Sequence, residues 1–170
     1  RLKGLIEGFG WKKNLEEIRK NVETRCVKER SADIVPKVSV IIPCYNVENY
    51  VEDCLESILN QTLHEIEVIC VNDGSIDSTE EVLLKIAQND SRVAVYTQKN
   101  AGQGAARNQA VKNATGQYLY FMDSDDAIVP DCIETLYNII SQEKVDFVAA
   151  GINQIDENEN SLKITNYPNI

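Results

Sequence analysis

The chain has 170 residues, 43% hydrophobic and 26% charged, with a formal net charge of −10, which suits a single soluble domain with a real core. That acidity argues against nucleic acid as the main partner, because phosphate backbones are gripped by clustered Lys and Arg. A small anionic ligand stays compatible if a cation sits between it and the protein.

No apolar stretch approaches the roughly 20 residues that span a bilayer, and no secretory signal is visible. The chain begins at Arg1 rather than Met, so it reads as an excerpt or a processed product. The five cysteines, Cys26, Cys44, Cys54, Cys70 and Cys132, contain no C-x-x-C pair, which points to a reducing, cytoplasmic compartment. With His64 as the single histidine, His-rich zinc sites and Ser-His or Cys-His catalysis have almost no support.

Leu15, Ile18, Val22 and Cys26 recur at helical spacing and predict an amphipathic helix over residues 15–30. Residues 32–36 read as a boundary, separating an N-terminal helical extension (residues 1–35) from a main domain (residues 36–170). A β-branched run over 38–42, ended by Pro43, predicts a buried strand. Val51, Cys54, Leu55, Ile58 and Leu59 are helix-spaced. Residues 66–71 are a second strand, and Val82, Leu83 and Ile86 mark a helix entered through Ser78 or Thr79. Residues 93–96 are a third strand, 105–114 an Ala-rich helix, and 118–122 a fourth strand. The next helix covers 133–140, with Pro130 near its start. Residues 145–150 predict a fifth strand, and the polar tail carries a hairpin tip or loop at 156–160. Strands alternating with helices define an α/β fold with a mostly parallel sheet.

Such sheets bind ligands beyond the C-terminal ends of their strands, at a topological switch point. Four strand ends here run into polar clusters. After the first, Tyr45 suits stacking on a base, and Asn46 suits either a ligand hydrogen bond or a helix N-cap. After the second, Asn72-Asp73-Gly74-Ser75 is strong turn chemistry. Asp73 is equally suited to accept an N–H from a base or to serve the turn, while Asp77 and Thr79 read as turn and cap residues. After the third, Gly102 and Gly104 allow close backbone approach to a ligand, but Arg107 stands where a dinucleotide fingerprint has its third Gly. Arg107 either pairs with an acidic residue or meets the ligand. After the fourth come Asp123, Ser124, Asp125 and Asp126. Carboxylates crowded at a strand end raise one another's cost of ionising, and a hard divalent cation, Mg²⁺ or Mn²⁺, removes the conflict. The competing reading is a solvated loop with Asp125 or Asp126 as a helix cap.

Together, Val-Ser-Val-Ile-Ile-Pro-Cys-Tyr-Asn (38–46), Val-Asn-Asp-Gly-Ser-x-Asp-x-Thr (71–79), Asn-Ala-Gly-Gln-Gly-Ala-Ala-Arg-Asn (100–108) and Phe-Met-Asp-Ser-Asp-Asp (121–126) resemble the nucleotide-sugar-binding half of the family 2 glycosyltransferases. The resemblance covers about residues 36–151. It implies the GT-A fold, a three-layer α/β/α architecture of Rossmann-like kind. It also implies donor-binding roles for Pro43, Tyr45, Asn46, Glu48, Asp73, Asn100, Arg107, Asp123 and Ser124. Pro43, Tyr45 and Glu48 would border the nucleoside, and Asp73 would take the uracil N3–H. Asn100 and Arg107 would support the base and ribose side, and Asp123 would face the ribose. Asp125, with Asp123, would hold Mg²⁺ or Mn²⁺ on the diphosphate. Asp126 has no firm family role.

The implied activity is metal-dependent, inverting transfer of a hexosyl or N-acetylhexosaminyl group from a UDP-sugar to a saccharide or lipid-linked acceptor. The implied location is the cytoplasm, with the full-length protein at the membrane's cytoplasmic face. The family's general base comes from a later segment, expected beyond Ile170, so this chain is expected to bind donor and transfer poorly. Asp156, Glu157 and Glu159 are not assigned as that base. The rival readings are a non-catalytic nucleotide-sugar-binding or scaffold domain, a nucleotidyltransferase and, last, a nicotinamide enzyme. The nucleotidyltransferase would carry a Gly- and Lys/Arg-rich phosphate loop after the first strand, which residues 43–48 lack.

Overall fold

The computed structural model describes residues 24–30, 35–155 and 161–165. Its main sheet has the strand order β1-β4-β3-β2-β5. The strands are β1 (Thr24–Lys28), β2 (Val38–Cys44), β3 (Ile66–Asn72), β4 (Val93–Gln98) and β5 (Tyr118–Phe121). The helices are α1 (Val51–Leu59), α2 (Thr79–Asn89), α3 (Gln103–Asn113) and α4 (Cys132–Glu143). Strands β2 to β5 pair in parallel, and β1 joins β4 antiparallel.

Every residue of β2 and β3 is buried, as expected of strands covered on both faces. On one face Val40, Ile42, Val68, Cys70 and Val95 pack against Leu55 and Ile58 of α1, Leu83 of α2 and Ile133 of α4. On the other, Ile41, Ile69 and Val71 meet Ala106 and Ala110 of α3, whose small side chains allow close approach. The result is three layers, α/β/α. Burying each large aliphatic residue stabilises the core by about 1.5–3 kcal/mol.

From β2 the chain winds outward through β3 and β4, then returns to place β5 on the opposite side of β2. The C-terminal ends of β2, β3 and β5 therefore surround the switch point. Strand β2 runs on through Pro43 to Cys44. The ring nitrogen of Pro43 costs no ladder bond, because it lies past the last β2–β5 pair, Ile41 with Phe121.

A polar bracket closes the opposite end of the sheet. The Glu67 carboxylate is buried, accepts from Ser39 Oγ (2.6 Å) and from the Thr115 and Gly116 amides (2.6 and 3.0 Å), and pairs with Arg30 Nε at 2.6 Å. Burial pushes this carboxyl up, but the hydrogen bonds and Arg30 outweigh it and hold it below its ordinary value.

Two expectations are corrected. Residues 24–28 form edge strand β1, registered from Thr24 opposite Gln98 to Lys28 opposite Val95, instead of the end of a helix. The helical reading rested on apolar spacing, whereas the exposed edge of β4 offers main-chain partners that no local pattern reports. The rest of that expected helix, residues 15–23, lies outside the described residues. The expected strand over 145–150 does not form. The chain leaves α4 through left-handed Lys144 (φ 55°), and Phe147 is 68% exposed. Strands β6 (Ile152–Ile155) and β7 (Ser161–Thr165) form a separate antiparallel pair instead. The expected loop at 156–160 falls between them, outside the described residues. Among the described residues no helix is long and apolar enough to cross a membrane.

Candidate functional site

A cleft of about 440 Å³ opens at the switch point, within the usual range of small-molecule sites. Its lining comes from all four polar strand ends. Pro43, Cys44, Tyr45 and Val47 follow β2, Asp73 follows β3, Asn100, Gly102 and Gln103 follow β4, and Asp123, Ser124 and Asp125 follow β5. Eight of the residues singled out in the sequence meet here: Pro43, Tyr45, Asp73, Asn100, Gly102, Asp123, Ser124 and Asp125. Asn46, Glu48 and Arg107 are not part of the lining.

Asp73 is 2% exposed and organises the β4–α3 loop. Its Oδ1 accepts from Gln98 Nε2 (2.7 Å) and the Ala101 amide (2.9 Å), and its Oδ2 accepts from the Gly102 amide (2.8 Å). The Asp73 amide in turn donates to the Cys44 carbonyl at 2.8 Å. A carboxylate offers about four lone-pair sites, so Oδ2 keeps one for a ligand donor. Asp73 thus serves the turn and stays available to the cleft. Next to it, Gly74 has φ +72°, and a Cβ there would lie 2.8 Å from the Asn100 nitrogen, so only glycine fits.

Asn46 and Glu48 fasten the β2–α1 loop to the β3–α2 loop. Asn46, itself at φ 52°, accepts from the Ile76 amide (3.0 Å) and donates its own amide to Ser75 Oγ (3.0 Å). Glu48 accepts from the Ser78 amide (2.8 Å), and its amide donates to Asp77 Oδ2 (3.2 Å). Burial pushes the Asp77 carboxyl up, but hydrogen bonds from Thr79 and Glu48 win and hold it low. The N-cap position of α1 is Tyr50, not Asn46. This double fastening sets the stem of Tyr45, whose ring is half exposed over the cleft.

On the acidic side, Arg107 Nη2 donates to Asp123 Oδ1 in an ion pair, and Gln103 Nε2 donates to the same oxygen at 3.1 Å. Arg107 Nε is buried without a partner. Gln103 went unremarked in the sequence. The signal was its i, i+4 spacing from Arg107, which puts both on one helix face. Gln98, which holds Asp73, left no such signal.

Asp125 is exposed at the cleft, and no hydrogen bond from the described residues engages its carboxylate. Asp126 lies off the cleft, and its carboxyl is pushed up by burial and then by Asp125 and Asp123. The N-cap position of α4 falls to Asp131, so neither Asp125 nor Asp126 caps it. Beneath the loop the Cys54 thiol is pushed up to about 12, by burial first and then by Cys44 and the three aspartates. It is therefore unreactive. Among the described residues no group of three or more His, Cys, Asp or Glu side chains could hold a metal unaided.

The sequence model of Glycosyl transferase family 2 matches residues 39–167. The chain is 43% identical to glycosyltransferase GlyA of Streptococcus pneumoniae over 123 residues, covering 72% of this chain and 18% of GlyA. It is 43% identical to the hyaluronan synthase of Pasteurella multocida over 108 residues, covering 64% of this chain and 11% of that enzyme. Among solved structures, S. aureus TarS 1-349 in complex with UDP-GlcNAc superposes with a TM-score of 0.61 at 34% identity, over 65% of this chain and 32% of that one. TarS 1-349 is also solved in complex with UDP. The chain thus spans about a third or less of the length of these relatives.

Proposed function

The chain belongs to glycosyl transferase family 2, and we propose that it is the donor-binding part of an enzyme that transfers a sugar from a UDP-sugar to an acceptor hydroxyl. The observation that carries this reading is the convergence of Asp73, Tyr45, Asp123 and Asp125 on one cleft at the switch point. The structures of TarS 1-349 in complex with UDP and with UDP-GlcNAc support the donor class.

In this reading Asp73 Oδ2 accepts the uracil N3–H, Tyr45 stacks on the base, and Asn100 borders the base and ribose. Arg107 and Gln103 hold Asp123 by Oδ1, leaving Oδ2 toward the ribose. The donor set fits a hard divalent cation, Mg²⁺ or Mn²⁺. Asp125 is a free carboxylate at the cleft, the Asp123 Oδ2 that faces the ribose has a second lone pair to share with a cation, and such cations take one or two carboxylates and fill the remaining positions with substrate phosphates. Bound there, the cation would supply charge neutralisation for the diphosphate leaving group. Inversion at the anomeric carbon needs a base that takes the acceptor proton. Asp73, Asp123 and Asp125, the carboxylates of the cleft lining, are all committed to the donor, so none is assigned that role. That commitment also favours a second reading, a domain that binds the donor without transferring from it alone.

Base selectivity tests the reading. With Mn²⁺ present, calorimetry should show UDP binding at least about tenfold more tightly than CDP, the margin of one decisive hydrogen bond. Equal affinities would sink the assignment of Asp73 to the base.

A further inference from the structure

The acidic loop is exposed from residue 125 to 127 and again at 129 and 130, yet its path is set from beneath by one buried side chain. Gln61 lies two residues past the end of α1 and is 0% exposed. Its Nε2 donates to the Val129 carbonyl (2.7 Å) and the Ser57 carbonyl (3.0 Å), and its Oε1 accepts from the Ile133 amide (2.9 Å) in the first turn of α4. One amide therefore joins α1, the exit of the acidic loop and the start of α4. Neighbouring groups extend the seam. Ser57 Oγ accepts from the Ile128 amide (3.2 Å), the Thr62 amide donates to the Pro130 carbonyl (2.9 Å), and Cys54 Sγ donates to the Asp123 carbonyl (3.6 Å). The seam thus grips the loop at Asp123 and again from Ile128 onward, on both sides of Asp125.

We infer that Gln61 is the positioning residue of the acidic loop, fixing where Asp125 stands, and that α1 is the template on which the loop is laid. The relevance to donor binding rests on the reading of Asp125 as the cation and diphosphate site. The placement itself rests on the hydrogen bonds alone. Removing the amide leaves the buried Ile133 N–H without its acceptor and the Val129 carbonyl with the Cys132 amide alone (3.1 Å), and a donor so stranded favours local opening over strain.

The test compares the wild-type chain with Gln61→Ala by amide hydrogen exchange without ligand, and by calorimetric titration of UDP with and without Mn²⁺. Exchange in peptides over 122–133 should rise by about tenfold or more, the equivalent of losing one buried hydrogen bond. Exchange in β2 and β3 should stay unchanged. The UDP Kd measured with Mn²⁺ should rise about tenfold, and the metal-free Kd should hold within about twofold. Unchanged exchange over 122–133, or an equal rise throughout the sheet, would overturn the inference by making Gln61 an ordinary core residue. If the wild-type chain shows no metal-dependent UDP binding, the reading of the cleft fails while the exchange result still decides the role of Gln61. Should Gln61→Ala not fold, Ser57→Ala, which removes the acceptor for the Ile128 amide and the hydroxyl's own bond within α1 to the Cys54 carbonyl (2.7 Å), should raise exchange over the same peptides by about threefold.

Discussion

Asp73→Asn is the most discriminating substitution in the cleft. The carboxylate accepts three hydrogen bonds, from Gln98, Ala101 and Gly102. An amide that keeps its oxygen toward Gln98 and Ala101 must turn its NH₂ toward the Gly102 N–H. One hydrogen bond to a charged acceptor is lost, at about 1.5–3 kcal/mol. For a chain of this size that lowers Tm by roughly 4–10 °C. The ligand effect has a sign of its own. Uracil presents N3–H as a donor, whereas the cytosine N3 is an acceptor. The NH₂ now facing the cleft opposes uracil and suits cytosine. UDP affinity should therefore fall by about 10- to 100-fold, while CDP affinity holds or rises. Thermal unfolding and calorimetric titrations of both nucleotides read the two effects separately. A variant that loses stability yet keeps the UDP-over-CDP ratio would refute the assignment of Asp73 to the base and leave it as a turn residue only.

Gly74→Ala forces a Cβ to 2.8 Å from the Asn100 nitrogen at φ +72°. It should cost about 1–3 kcal/mol by unfolding and weaken UDP binding, because the Asn100 loop must shift. Arg107→Met removes an ion pair whose partners are 31% and 46% exposed, so stability should change by less than about 1 kcal/mol. UDP affinity should nonetheless fall several-fold in titration, and Arg107→Lys should not restore it fully, since a lysine lacks the guanidinium fork. Glu67 is held below the ordinary carboxylate value of 4.5 in the fold. Its contribution is present above that pH and is lost as pH falls through the folded value. Glu67→Gln should destabilise the neutral protein by about 3–5 kcal/mol. The variant's unfolding curve should also be flatter than wild type below about pH 4.5.

The two central strands were legible because residues 38–42 and 66–71 are apolar runs interrupted only by Ser39 and Glu67, as a sheet covered on both faces demands. Each strand end announced its polar cluster, and parallel topology alone brings those ends together, so the cleft was legible as a place. The partners inside it were not. Asn46 and Glu48 carry ligand-like chemistry, but their oxygens go to the Ile76 and Ser78 amides, a contact between loops about 30 residues apart that no local pattern encodes. Arg107 left two options in sequence, and in the structure its guanidinium pairs with Asp123. Gln61 belongs to no polar cluster, and only its burial reveals it. The misread segments share one cause. Strand β1 and the run after α4 depend on whether a sheet edge is within reach, and apolar spacing reports burial rather than partners.

The central claim, a UDP-sugar held through a cation at Asp125, is tested most directly by calorimetric titration of UDP with and without Mn²⁺ on wild type and Asp125→Ala. The account predicts that Mn²⁺ tightens UDP binding to wild type by about tenfold or more and leaves Asp125→Ala unaffected. Wild-type binding of UDP that is indifferent to Mn²⁺, or an Mn²⁺ effect that survives in Asp125→Ala, would contradict it.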